Sequence, residues 1–172
     1  RNGMLWPILD RIFDLGLVYE NTNLAIEQRK NFLLSNKIAV CDIVEAAERD
    51  KVDASDLGMQ NVQLRDVVNY LEIYPNLKTV LFMGGNSKNG PEYFFRKHIK
   101  EQDIQLEIVS NEIPRIHKFS IGDRKVKTVS LTAPSGAANR SIGAMDKYKI
   151  LKTQNPKFNT IDFRVQQYQQ FF

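Results

Sequence analysis

The chain has 172 residues, of which 42% are hydrophobic, 10% aromatic and 26% charged; this suffices for one compact core and is too short for two domains of ordinary size. Its longest apolar runs, such as Ile38 to Cys41, fall far short of a bilayer crossing. The single cysteine, Cys41, excludes a disulfide framework and a cysteine-ligated zinc or iron–sulfur centre built within the chain, and suits a reducing cytoplasm.

The elements read in chain order as follows. Met4 to Leu15 carries apolar residues at helical spacing (Leu5, Ile8, Leu9, Ile12, Phe13), and Gly16 stops it. Asn23 is placed to cap a second helix to Ser35, with Leu24, Phe32 and Leu33 facing inward. Ile38 to Val44 has the composition of a buried parallel strand. The polar stretch Glu45 to Gly58 reads as a surface loop, followed by a helix from Asn61 through Tyr74. Thr79 to Met83 is a second buried strand ended by Gly84-Gly85, and Pro91 opens a helix to about Lys100. Gln105 to Val109 and Lys125 to Leu131 are further strands, with an irregular segment holding Pro114 and Gly122 between them. Helices over Gly143 to Thr153 and Thr160 to Phe171 close the chain.

Strands alternating with helices predict a single α/β domain over 1–172, three layers deep (α/β/α), with a mainly parallel central sheet. In such sheets ligands bind beyond the carboxyl ends of the strands. Three segments converge there: Cys41-Asp42, Gly84-Gly85-Asn86, and Ala133-Pro134-Ser135-Gly136. The glycines at 84 and 85 match neither a phosphate loop nor a dinucleotide fingerprint and read as a tight turn. Charge is uneven within the net +4: residues 1–113 carry 13 Lys/Arg against 17 Asp/Glu (−4), whereas residues 114–172 carry 11 against three (+8). A basic C-terminal third on an acidic body suits a polyanion, although a solvated lysine-rich surface gives the same count.

The most informative stretch is Leu131 to Ser141 (LTAPSGAANRS). It leaves a buried strand, turns at Pro134 and Gly136, and presents small side chains, so a nucleic-acid backbone can approach closely. Ser135 and main-chain N–H groups are then donors to phosphate, and Asn139 and Arg140 add polar and cationic contacts. An ordinary strand-to-helix turn uses the same residue types. This loop resembles the second signature motif of the uracil-DNA glycosylase superfamily, closest to its mismatch-specific uracil/thymine branch. Arg1-Asn2-Gly3-Met4-Leu5-Trp6-Pro7-Ile8-Leu9 is similar to the family's R-N-x-F-W-x-I-L segment. Lys37 to Val44, with Glu48-Arg49 and Asp53-Ala-Ser-Asp56, resembles the base-pocket strand and loop of the hypoxanthine-directed branch, and Thr79 to Gly85 its next strand.

The resemblance implies a uracil-DNA-glycosylase-like fold. It also implies a monofunctional, metal-independent and cofactor-free hydrolase, acting as a monomer on DNA that holds a deaminated base such as uracil or hypoxanthine, flipped out of the stack. The implied catalytic residues are Asn2 and Ser135. Asn2 orients water or donates to the base; a helix N-cap is its alternative role. The implied base-binding residues are Trp6, Cys41 and Asp42. Asp42, an acceptor when ionised, welcomes the ring N–H of a deaminated base and repels the ring-nitrogen acceptor of cytosine or adenine. Capping of the following turn is its alternative, and core packing is that of Trp6. The implied DNA contacts are Pro134, Ser135, Gly136, Asn139, Arg140 and Lys147. Arg140 either fills the gap left by the flipped base or contacts a surface phosphate. Lys147, Lys149 and Lys152 spread over a helix surface and suit backbone neutralisation.

The chain departs from the pattern in two places. The family's first signature motif, a Gly/Pro-rich loop that helps to place the water, would precede Arg1, and Ala133 stands where relatives carry His or Asn. His98 and His117 match no motif, and their settings read as a helix surface and a loop. A non-enzymatic, nucleic-acid-binding member of the fold is the alternative function.

Overall fold

A computed structural model describes residues 3–49 and 58–172. In chain order the elements are α1 (Leu5–Phe13), α2 (Asn23–Ser35), β1 (Val44–Arg49), β2 (Met59–Leu64), α3 (Val67–Ile73), β3 (Thr79–Phe82) and α4 (Pro91–Lys100). They continue with β4 (Glu107–Ser110), β5 (Arg115–Ile121), β6 (Arg124–Ser130), α5 (Asn139–Ala144), α6 (Asp146–Gln154) and α7 (Thr160–Tyr168). The chain divides into two compact units, a terminal one of Arg1–Cys41 with Ser135–Phe172 and a central one of Asp42–Pro134. No helix among the described residues is long and apolar enough to cross a membrane.

The terminal unit is helical. In α1 the apolar spacing buries Ile8 and Leu9, and Pro7 is tolerated because the first turn has no intrahelical acceptor for its missing N–H. The helix ends at Asp14, whose φ of 52° takes the left-handed conformation used to close helices. Thr22, rather than Asn23, caps α2: its hydroxyl accepts the Ala25 N–H at 3.3 Å. Phe32 packs edge-on to Phe13, with ring centroids 5.0 Å apart, but Leu24 is 61% exposed and does not face inward as expected. Ile142, Phe158 and Phe163 form a second cluster with Met145, Tyr148 and Leu151. Asn159 and Asp162 close α7 with a capping box.

The central unit holds a four-stranded sheet in the order β3-β6-β5-β4, and β1 pairs with β2 as a separate antiparallel ribbon. The sheet is mixed α/β in character, not mainly parallel: β3 runs parallel to β6, while β5 is antiparallel to both β6 and β4. The cause is the unpredicted strand β5. The segment expected to be irregular alternates His117 and Phe119 inward with Lys118 and Ser120 outward. A two-residue turn then reverses the chain, with Gly122 at φ +55° in its first position, as primed hairpin turns require.

Other boundaries also move. Strand β1 begins only at Val44, since Ala39 to Asp42 are exposed and have no apolar layer to enter. Residues 59–64 form β2, so helix α3 starts later than expected and is capped by Asp66, not Asn61. Val67, Val68 and Leu71 of α3 meet Phe82, Phe95, Ile99, Phe119 and Val126 in the central core. Pro91, with its fixed φ and absent N–H, opens α4 as expected.

Candidate functional site

The loop singled out in the sequence leaves β6 at Ser130 and passes through buried Leu131 and Thr132 before turning. Within the terminal unit, residues 136–138 form one 3₁₀ turn that runs into α5. Beneath this turn lies Arg164 of α7, fully buried at 0% exposure. Its Nη2 donates to the Ser135 carbonyl at 2.8 Å, and its Nη1 donates to Asn139 Oδ1 at 3.0 Å and to the Thr160 carbonyl at 3.1 Å. One guanidinium therefore fixes both ends of a five-residue segment and ties them to the first turn of α7, a geometry suited to its planar fork. Burial pushes the Arg164 pKa down, opposed by Tyr168, yet an arginine stays charged at neutral pH. That helix turn is itself anchored: Asp162 accepts the Asn159 N–H at 2.8 Å and the Arg11 guanidinium of α1 at 2.7 Å.

The expected site residues fall as follows. Asn2 lies outside the described residues, as do Asp53 to Asp56 of the quoted loop. Trp6 packs edge-on to Phe32 with centroids 6.2 Å apart, and the Arg29 guanidinium sits 5.3 Å from its ring; this is a helix-pair contact between α1 and α2. Cys41 is an exposed cysteine of the terminal unit outside any disulfide, and Asp42, also exposed, belongs to the central unit with its carbonyl accepting Arg65 Nε at 3.1 Å. Pro134 closes the central unit, and Ser135 opens the second segment of the terminal one. Ser135 is half-buried; its carbonyl is held by Arg164, whereas its hydroxyl makes no cap hydrogen bond. Gly136 is exposed. Asn139, expected as a DNA contact, spends its carboxamide oxygen on Arg164.

Six Lys/Arg lie in 135–172. Arg164 is buried, Lys149 pairs with Asp146 at 3.0 Å, and Lys152 donates to the Pro156 and Phe158 carbonyls at 2.7 Å each. The exposed Arg140, Lys147 and Lys157 have no ion pair or side-chain hydrogen bond with a described residue. Two of these, Arg140 and Lys147, were legible in the sequence.

A second polar constellation was not. In the central unit Glu92 of α4, 1% exposed, accepts Arg96 Nε at 2.8 Å on one oxygen and Arg115 Nη2 at 2.6 Å on the other. Burial pushes its carboxyl up, but Arg115, Arg96 and the nearby Ser130 (outside hydrogen-bond geometry) together hold it below the ordinary carboxylate range. Arg96 Nη2 also donates to His117 Nε2 at 2.8 Å. A guanidinium only donates, so the ring hydrogen sits on Nδ1, and burial together with Arg96 holds His117 below its ordinary pKa. His117 Nδ1, Thr128 Oγ1 and Ser130 Oγ find no hydrogen-bond partner among the described residues. Gly85 admits the cluster's edge, since a Cβ there would meet Arg115 Nη2 at 3.2 Å.

The two histidines thus sit otherwise than expected. His117 is on β5 at 1% exposure, and His98 on α4 is 8% exposed with Nε2 3.1 Å from Asp66 Oδ1. Both are engaged inside the central unit. Among the described residues, no three His, Cys, Asp or Glu side chains are grouped to hold a metal ion.

Comparison with protein-family models, with curated proteins and with solved structures finds no match to this chain.

Proposed function

We propose that this chain is a DNA glycosylase that hydrolyses the N-glycosidic bond of a deaminated base extruded from DNA. The collinear motifs support the reading, and one structural observation carries it. The Ser135 to Asn139 segment is fixed from inside by Arg164, while the Ser135 hydroxyl, exposed Gly136 and the cations Arg140 and Lys147, which have no ion pair with a described residue, remain for a nucleic-acid backbone. In this reaction water adds to the sugar carbon, the carbon–nitrogen bond breaks, and the base leaves with the bonding electrons. Asn2 orients the water, and Asp42 accepts the ring N–H that deamination creates. The test is release of free base from duplex DNA holding a single deoxyuridine or deoxyinosine. Release by the wild-type chain, reduced about 100-fold or more in Asn2→Ala and Asp42→Ala, is expected from removal of one transition-state contact. Wild-type behaviour of both variants overturns the assignment of roles.

A second reading has its own observation. Ala133 supplies no acid at the motif, and neither histidine stands free, because His98 is engaged with Asp66 and His117 with Arg96. A nucleic-acid-binding module without chemistry fits those facts. Salt-dependent DNA binding without base release, weakened in Arg140→Ala and Lys147→Ala, selects it.

A further inference from the structure

We infer that Arg164 is the positioning residue of the DNA-facing loop and that Asn139, in place of a DNA contact, is the strut through which it acts. The inference rests on the proposed function for what the loop does, and on geometry alone for the clamp. A single fully buried guanidinium reaches the Ser135 carbonyl and Asn139 Oδ1 through different nitrogens, at 2.8 and 3.0 Å. These acceptors bracket the 3₁₀ turn over Gly136–Ala138, whose own backbone bonds run from the Ala138 N–H to the Ser135 carbonyl at 3.3 Å and from the Asn139 N–H to the Gly136 carbonyl, and the fork pins both of its ends. Gly136 has nothing within 4 Å of where a Cβ would stand, so packing does not hold that position. Ser141 Oγ donates to the Ala138 carbonyl at 2.8 Å and carries the turn into α5, the helix that bears Arg140. The Ser135 carbonyl also accepts the Ala138 N–H at 3.3 Å, so Arg164 adds a second, charged donor to it.

Charge and geometry are separable. Arg164→Lys keeps the cation and loses the fork; Asn139→Asp keeps an oxygen acceptor facing Arg164, now as a carboxylate, whereas Asn139→Ala removes it. If Asn139 touched phosphate directly, its Asp variant would repel the backbone and be the worse of the two.

The experiment uses the full chain and two readouts: amide hydrogen exchange over residues 135–141 without DNA, and affinity for, and base release from, the deoxyuridine or deoxyinosine duplex. In Arg164→Lys and Asn139→Ala, exchange over 135–141 is expected to quicken at least tenfold. DNA affinity is expected to fall about tenfold, with the loss mainly in KM, while Asn139→Asp stays within about threefold of wild type. Unchanged exchange in Asn139→Ala, or an Asp variant weaker than the Ala variant, overturns the inference. Should Arg164→Lys fail to fold, the Asn139 pair alone decides. If the wild-type chain neither binds nor cleaves DNA, the proposed function fails, and the exchange readout still decides the clamp.

Discussion

Glu92 of the central unit and Arg164 of the terminal unit are both buried charges, at 1% and 0% exposure, yet they are satisfied by different chemistry. Glu92 lies between two guanidiniums and joins helix α4 to strand β5. Arg164 gathers the Ser135 and Thr160 carbonyls and the Asn139 carboxamide, and joins helix α7 to an irregular turn. Regular elements satisfy their own backbone, so a charge between them needs an opposite charge. A carbonyl keeps acceptor capacity after its first backbone bond, and a guanidinium is the side chain that can collect several such oxygens at once. Ion pairs thus fasten one regular element to another, whereas the cation on carbonyls pins a short 3₁₀ turn to the helix beside it.

Removing Glu92 gives the sharpest break in that contrast. Glu92→Gln leaves Arg96 and Arg115 facing each other without a counter-charge and is expected to cost about 3 kcal/mol, the low end for breaking a buried pair. The low end applies because the two arginine side chains keep 36% and 30% exposure. Urea unfolding followed by far-UV circular dichroism measures it; a cost under about 1 kcal/mol would show that the pair is solvated in practice.

The glycines flanking the cluster give the next effect. A Cβ at Gly90 would lie 2.4 Å from the Gly85 carbonyl and 3.0 Å from that of Ser87. Gly90→Ala is therefore expected to lose about 1–3 kcal/mol through backbone displacement. In the terminal unit Gly143, within α5, has nothing within 4 Å, so Gly143→Ala is expected to gain about 0.5–1 kcal/mol from helix propensity. Opposite signs for these two substitutions in the same urea assay are the check.

Acid separates the cluster's members with smaller steps. His117 is held below its ordinary 6.5, so the unfolded chain protonates first as pH falls; its contribution is complete above 6.5 and declines as pH drops from there toward the lower folded value. Glu92 is held below its ordinary 4.5, so its contribution is complete above 4.5 and is lost as pH falls through the lower folded value. The groups facing the His117 ring are Arg96, Glu92 and Arg115, with Thr128 opposite it on β6. Urea midpoints are expected to fall in two stages. The first is absent in His117→Gln, whose amide oxygen can still accept from Arg96, and the second is reduced in Glu92→Gln to what Asp66 leaves, since the Asn69 N–H holds that carboxyl below its ordinary 3.8 as well. A wild-type profile flat between pH 7 and 5 would remove His117 from the account.

What the sequence revealed follows the range of the interactions involved. Pro91 marked the start of α4, and the spacing of Ile8 and Leu9 marked the buried face of α1, because helix starts and stripes are local properties. Strand β5 escaped notice because Arg115, His117 and Lys118 interrupt its apolar alternation, although His117 shares the inward face with Phe119 and meets Arg96 of α4 there. The Gly122-Asp123 turn between Ile121 and Arg124 was the overlooked signal. Val44 to Arg49 reads as polar, and only its pairing with Met59–Leu64 makes it a strand. At the candidate site, Arg140 and Lys147 were legible as exposed cations. Arg164 was not, since its contacts with Ser135 and Asn139 span 29 and 25 residues and no pattern in the letters marks a buried arginine. The same distance hid the role of Asn139, whose neighbours in sequence point outward.

The posts beneath the Ser135 to Asn139 turn also set what can be exchanged above them. Gly136 and Ala137 stand exposed between fixed ends, and neither contributes a side-chain hydrogen bond to the interior. That makes the tip a cassette: its letters are open to exchange while the anchoring α7 helix beneath keeps its sequence.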